Sequence, residues 1–433
     1  MTAGAARPVI GYAGLTHLGV VSGLAAAAKG FETVGFDPDA VLVTDVAAGR
    51  FRFVEPGLDA LFATAAPRFT ASADPGALRH CDVVFIAVDV PTDARGRSDV
   101  APVRALVSTV AAAVKPGASI VVLSQVIPGF TRAEREQAEA SGARLYYQVE
   151  TLIFGRAVER AMEPERFMVG LADPAEPLPP ALRQFLESFG CPVLPMRYES
   201  AELCKISINM FLVSSVSTTN MLAEVCESIG ADWREIAPAL RLDRRIGPHA
   251  YLTPGLGIGG GNLTRDLASV QALAGANGTD AGLVETWLVH SEYRRDWALR
   301  TLYAHGLGTP GTVLGIWGLA YKEHTQFTKN SPALALIAAL PGFEIRAYDP
   351  AVAEAETPRG VTRTGTALDA VRGVDLLAIM TPWPEFGQVD PVTLASAMRG
   401  RVVVDPFGVL TPDAARGAGL EHRRLGTGTL PSA

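Results

Sequence analysis

Apolar residues along the chain follow one rhythm at both ends and another in the middle. Near the start, residues 8–13 ("PVIGYA") form a short apolar run that breaks at Gly14. A small-residue helical stretch then reaches Lys29 and Gly30, and a second apolar run, "TVGFD", ends on Asp37. Strand, glycine turn, helix, strand and acid make a βαβ unit. Further apolar runs at 81–91 ("CDVVFIAVDVP") and 119–129 ("SIVVLSQVIPG") flank a helical segment. Strands alternating with helices predict a parallel sheet covered on both faces. From Ser200 to Gly230 the pattern changes: neither Pro nor Gly interrupts, and Leu203, Ile206, Met210 and Val213 recur at helical spacing. This predicts one helix of about 45 Å at ~1.5 Å per residue, ending where Gly230 can serve as a C-cap.

After "HGLGTPG" (305–311) the first rhythm restarts, in "TVLGIWG" (312–318), "IRAYDP" (345–350, with Asp349), "VDLLAIMTPW" (374–383) and "RVVVDPFG" (401–408). The expected fold is α/β: two Rossmann-like doubly wound domains joined by a long central helical region. The expected boundaries are 1–197, 198–300 and 301–433. The two βαβ openings look alike, but no fixed-period repeat links them.

A chain of 433 residues is too long for one core. With 48% apolar and 19% charged residues it has the balance of a soluble globular protein. A net charge of −7 with no Lys/Arg block argues against nucleic acid or an anionic membrane surface as the main partner. The N-terminus lacks a charged region followed by an apolar one, and the run "LGVVSGLAAAA" is too short to span a bilayer. Cys81, Cys191, Cys204 and Cys226 show neither metal-ligand nor disulfide-framework spacing. The expectation is a cytoplasmic multidomain protein, without a metal site.

Two glycine-rich segments carry candidate chemistry. In "GLTHLG", Gly14 and Gly19 take the outer places of a G-x-G-x-x-G fingerprint, with Thr16 in the middle place. Asp37 stands at the end of the second strand, where a carboxylate accepts from a ribose diol and repels a 2′-phosphate, which favours NAD over NADP. A plain strand-to-helix turn is the alternative. In "PGLGIGGGNLTRD" (254–266) the glycines leave the backbone open to close approach and deliver Asn262, Arg265 and Asp266.

"FVEPGLDALF" (53–62), "CDVVFIAVDVPTDARGRSD" (81–99), "AELCKISINMFL" (201–212), "LDRRIG" (242–247), "GIGGGNLTRD" (257–266) and "GLAYKEHTQFTKNSP" (318–332) together resemble the UDP-glucose/GDP-mannose dehydrogenases. The resemblance runs in order along nearly the whole chain. It implies an N-terminal NAD domain, a central helix that forms a homodimer, a C-terminal nucleotide-sugar domain, and an active site between the two α/β domains. It places Gly14, Thr16, Gly19, Asp37, Val90, Pro91, Gln125, Arg265 and Lys329 at the cofactor. It assigns Glu150, Leu152, Lys205, Asn209, Tyr251, Leu252, Gly257 and Lys322 to the nucleotide sugar, with Arg245 supplied across the dimer. The catalytic set it implies is Lys205, Asn209, Asp266, Glu150 and the Asn262 position.

The departures from the family pattern carry chemistry of their own. Asn262 stands where the family has a nucleophilic cysteine, and Thr264 and Arg265 where it has proline and lysine. Phe154 replaces the second of two glutamates, and Gln125 a threonine. Gln326, Phe327 and Lys329 replace paired aspartates and an arginine, and Phe407 a later arginine. The family reaction first moves a hydride from the C6 carbinol to NAD; a cysteine thiolate then traps the aldehyde, a second hydride leaves, and water cleaves the thioester. That second half needs an ionisable nucleophile, and a neutral amide is not one.

Parts for the first half are present. Lys205 and Asn209 are i, i+4 on one helix face, suited to stabilising an alkoxide; Asp266 can relay a proton and Glu150 hold the network. Lys205 can also be read as a snorkelling surface residue, and Asn262 as an N-cap for a helix starting near Leu263, as a sugar contact, or as both. Cys204 points about 100° away from Lys205 around the helix and reads as core. The expectation is an NAD-dependent oxidoreductase making one hydride transfer on a nucleotide sugar, UDP-linked by resemblance. A redox-neutral epimerase and a non-catalytic sugar-nucleotide binder are the alternatives.

Overall fold

The computed structural model describes residues 6–93 and 96–428. The chain divides into two compact units, residues 1–208 and 209–433.

The first unit is built on an eight-stranded sheet: β1 (Ile10–Ala13), β2 (Thr33–Phe36), β3 (Phe69–Ser72), β4 (Val83–Ile86), β5 (Ser119–Val122), β6 (Arg144–Gln148), β7 (Phe167–Leu171) and β8 (Val193–Arg197). Their order across the sheet is β3-β2-β1-β4-β5-β6-β7-β8. Strands β1, β4 and β5 are buried along their whole length, as parallel strands covered on both faces must be. The expected parallel sheet needs one correction: β7 runs antiparallel to β6, and β8 parallel to β7. The only helix between β6 and β7, Ala157–Met162, has six residues.

The second unit begins within the long helix and continues through helices Trp233–Leu242, Asn262–Asn277, Gly282–Arg295 and Trp297–Ala304. It then forms a six-stranded sheet of β9 (Val313–Trp317), β10 (Glu344–Tyr348), β11 (Val361–Arg363), β12 (Leu376–Ile379), β13 (Val402–Val404) and β14 (Glu421–Arg423). All its pairings are parallel, in the order β11-β10-β9-β12-β13-β14. This repeats the permutation of the first six strands of the other sheet.

The two sheets also share a brace. Gly14 N–H donates to Phe36 O, and Gly318 N–H to Tyr348 O, each at 2.8 Å. One carboxylate oxygen of Asp37 accepts from Leu15 N–H at 2.8 Å, and one of Asp349 from Leu319 N–H at 2.7 Å. In both, the acid after the second strand pins the turn after the first.

The long helix spans Tyr198–Ile229, 32 residues, and Gly230 follows it with φ 81°, as expected of a left-handed C-cap. Tyr198 and Ala201 are buried in the first unit, and Val213, Ala223 and Cys226 in the second. By length and composition this helix is apolar enough to cross a bilayer. Phe211, Met221, Val225 and Ile229 on it are exposed.

Candidate functional site

The first glycine turn joins β1 to the helix His17–Ala28. Gly14 has φ 95°, which favours glycine. A Cβ on Gly19 would lie 1.8 Å from the carbonyl oxygen of Gly14, so helix and turn can pack this closely only with glycine there. Thr16 occupies the N-cap, yet its hydroxyl donates to Ala87 O at 3.1 Å and caps nothing. The first N–H groups of the helix therefore lack a side-chain acceptor, a fitting seat for a pyrophosphate. Asp37 is nearly buried, and its second carboxylate oxygen accepts from Asp39 N–H at 3.0 Å. Each oxygen retains a further lone pair for a ribose hydroxyl. The turn, the uncapped helix and the acid together fit a dinucleotide.

In the same unit, Lys205 Nζ lies 3.3 Å from Glu150 Oε2, both side chains being largely buried. Glu150 Oε1 accepts from the backbone N–H of Leu152, which fixes the carboxylate over its own loop. Behind that loop stands Glu55, from the "EPGL" segment. It accepts from Gly155 N–H at 3.0 Å, Ala157 N–H at 2.8 Å and His17 Nε2 at 2.9 Å. Burial by itself raises the Glu55 pKa, but these bonds outweigh it and hold the carboxyl below its ordinary value. The Phe154 ring lies 4.3 Å, centroid to centroid, from the His17 imidazole. An apolar ring is thus packed on the first residue of the glycine-turn helix. Cys204 sits against the core, its Sγ 3.3 Å from Met168 Sδ, as expected.

In the second unit, Asn209 donates its amide to Asp266 Oδ2 at 2.5 Å, and Arg265 Nε lies 3.4 Å from Asp266 Oδ1. All three are buried, Asp266 almost completely. The glycine loop that leads to them is tied down by side chains. Ser215 and Thr219 on the long helix donate to Tyr251 O, Asn220 accepts from Gly255 N–H, and Trp233 donates to Leu252 O. Ser291 accepts from Ile258 N–H at 2.7 Å.

Two of the loop glycines are required by their own neighbours. Gly257 (φ 73°) would place a Cβ 2.4 Å from Ser291 O, and Gly260 (φ 76°) would place one 2.8 Å from the Tyr321 ring. Asn330 donates to Gly260 O at 2.8 Å, closing the loop against the segment after β9. Burial pushes the Tyr321 phenol up to about 12, so it stays neutral.

Asn262 is exposed and is the first residue of its helix; Gly261 holds the N-cap position with no side-chain bond. The N-cap reading of Asn262 is therefore corrected: the helix starts one residue earlier than expected, and its side chain points no acceptor at the helix end. Arg245 is largely exposed and paired with Asp243 at 2.6 Å. Tyr251 is exposed and Leu252 buried. Lys322 Nζ lies 5.8 Å from the Tyr321 ring centre, and the Lys329 side chain lies beside Gly261. Val90 and Gln125 are half-buried and Pro91 exposed, beyond β4 and β5 respectively. The bracing residues Glu55, His17, Asn220, Ser291, Tyr321 and Asn330 are ones that sequence reasoning missed. Four of them lie in the quoted segments, His17 in "GLTHLG", Glu55 in "FVEPGLDALF", and Tyr321 and Asn330 in "GLAYKEHTQFTKNSP", but none was singled out there.

Known proteins share this arrangement along the chain. The NAD binding domain model of the UDP-glucose/GDP-mannose dehydrogenase family matches residues 9–186, its central domain 199–291, and its UDP binding domain 315–412. The UDP-glucose 6-dehydrogenase TuaD of Bacillus subtilis is 28% identical over 97% of this chain and 94% of its own length. The UDP-glucose 6-dehydrogenase of Rhizobium meliloti is 29% identical over 95% of this chain and 98% of its own. Among solved structures, a UDP-glucose dehydrogenase from Pyrobaculum islandicum superposes with a TM-score of 0.85 at 27% identity, covering 99% of this chain and all of that one. A UDP-D-ManNAc dehydrogenase from Pyrococcus horikoshii shares the fold, with a TM-score of 0.82 at 22% identity over 96% of this chain and 99% of that one. With all three of its domain models matched in order, the chain belongs to the UDP-glucose/GDP-mannose dehydrogenase family, NAD-dependent oxidoreductases that act on a CH–OH group of a nucleotide sugar.

Proposed function

We propose that this protein oxidises the carbinol of a UDP-linked sugar by one hydride transfer and releases a carbonyl product. The observation that supports this most is the pairing of an exposed Asn262 at the family's thiol position with Phe154 packed on His17 at its second glutamate. NAD, when bound, accepts the hydride. The Lys205 ammonium, held at 3.3 Å by Glu150, offers its remaining N–H donors to the oxygen that becomes an alkoxide. Asp266, fixed by the Asn209 amide, takes up the hydroxyl proton directly or through one water. An amide nitrogen has no available lone pair with which to add to the carbonyl formed. The apolar ring of Phe154 provides no base to activate water. Oxidation therefore stops after two electrons.

The same reading assigns Gly14, Thr16, Gly19, Asp37, Val90, Pro91, Gln125, Arg265 and Lys329 to the cofactor. Leu152, Arg245, Tyr251, Leu252, Gly257 and Lys322 go to the nucleotide sugar. The exposed apolar side chains of the long helix suit a second copy of the chain. The test is product analysis by NMR after incubation with NAD and a panel of UDP-sugars. A carbonyl product, or its hydrate, is expected. A uronic acid would refute the single oxidation, and an epimer without net NADH would favour the redox-neutral reading.

A further inference from the structure

Apart from the residues discussed above, the second unit holds a cavity of about 360 Å³ beside the last strand and the C-terminal part of the long helix. That volume lies within the ~300–1,000 Å³ of small-molecule sites. Its wall carries Arg416, Arg423, Arg424 and His422 together with Glu227 and Trp297. The one carboxylate in the wall is already spent internally. Glu227 accepts from Arg294 Nη2 at 3.2 Å, Trp297 Nε1 at 2.9 Å and Gly426 N–H at 2.8 Å.

The arginines are less well served. Arg424 donates to the Thr427 hydroxyl at 3.4 Å and makes no ion pair within 4 Å among the described residues, although the charges of Asp232 and Asp405 act on it from farther off. Burial, with the Arg234 and Arg416 charges, pushes its pKa below the ordinary value despite the upward pull of Asp232 and Asp405. Arg423 bonds Glu421 through Nη2, while its Nε is buried without an acceptor. Arg416 has only a 3.8 Å pairing with Asp413, both side chains exposed, an arrangement of little worth in water. His422 is almost wholly buried, and Asp405 Oδ2 holds its Nε2 at 2.9 Å. Leu410 N–H donates to the same oxygen at 2.9 Å, which fixes the carboxylate that holds the ring.

We propose that this cavity binds a small phosphate-bearing anion, at a site separate from those of NAD and the nucleotide sugar. Guanidinium forks match the oxygens of phosphate two at a time, and a diphosphate brings the charge to balance Arg416 and Arg424 together.

The test is calorimetric titration of inorganic pyrophosphate into the full-length protein, with ADP in a parallel titration. Saturable binding of pyrophosphate is expected, weakened at least tenfold by R424Q and at least threefold by R416Q, and unchanged by K322Q at the nucleotide-sugar site. ADP binding that is tighter than that of pyrophosphate and is weakened by R416Q would assign the site to nucleotides, and R416Q-sensitive binding of equal strength to free phosphates. Because Arg424 is half-buried in the wall, thermal melting accompanies R424Q, and the exposed Arg416 provides the variant with an intact fold. No binding, binding unmoved by R416Q, or binding lost in K322Q would overturn the proposal.

Discussion

Replacing Gly257 by alanine while making the same change at Gly255, two residues away, tests how the glycine loop is held. Gly257 has φ 73° and a virtual Cβ 2.4 Å from the backbone oxygen of Ser291; Gly255 has no heavy atom within 4 Å of its virtual Cβ. Left-handed backbone costs a non-glycine residue roughly 1–2 kcal/mol, and forcing a methyl into a packed contact costs about 1–3 kcal/mol. G257A should therefore lose about 2–5 kcal/mol, since Ser291 O belongs to a helix backbone and cannot swing aside. For a unit of this size each kcal/mol shifts the melting midpoint by roughly 2–4 °C, so a drop between about 4 and 20 °C is expected in scanning calorimetry. G255A should melt within about 2 °C of wild type, because surface changes away from such features stay within about 0.5 kcal/mol. The displaced loop should also lower kcat/KM, since it leads directly to the helix bearing Asp266. Equal melting of G257A and G255A would refute the view that the loop is braced by its own unit.

Lys205→Met should lower kcat by about 10²–10³, the loss typical of a removed oxyanion donor, in protein that melting shows to be folded at the assay temperature; near-normal turnover would remove Lys205 from the chemistry. Glu55→Gln should cost about 1.5–3 kcal/mol at pH 7, because three donors lose their charged acceptor. Its carboxyl is held below the ordinary value, so the stability it lends is present above the unfolded pKa of about 4.3 and disappears as pH falls through the folded value. Melting against pH should therefore fall less steeply below about pH 4.3 in E55Q than in wild type, and parallel curves would contradict the assignment. Asn262→Cys should permit a covalent acyl adduct visible by intact-protein mass spectrometry. Because Phe154 offers no base, that adduct should persist; its absence would place the loop wrongly.

Much of the fold was legible because strands covered on both faces must be apolar throughout, and β1, β4, β5, β9 and β12 are short runs of this kind. The break-free Ser200–Gly230 stretch likewise left the chain no alternative to one helix. The antiparallel pairing at β6–β7 was not legible, because the composition of "FMVGL" suits a buried strand running in either direction. The Asn262 cap was misread because the helix takes up its first residue before the apolar spacing begins. Close approach of the loop glycines was anticipated, but the partners at Gly257 and Gly260 are Ser291 and Tyr321. Neither is adjacent in sequence, and no local pattern announces them. Glu55 reaches Gly155 across 100 positions, and such a contact exists only once the sheet has formed.

The central claim concerns how many electrons leave one sugar. The most direct measurement is the yield of NADH, read at 340 nm, per molecule of UDP-sugar consumed to completion. One NADH per sugar is predicted, with a carbonyl compound as the product. Two per sugar, with a carboxylate formed, would show that oxidation proceeds without the missing thiol, and none with an altered sugar would show that the hydride returns.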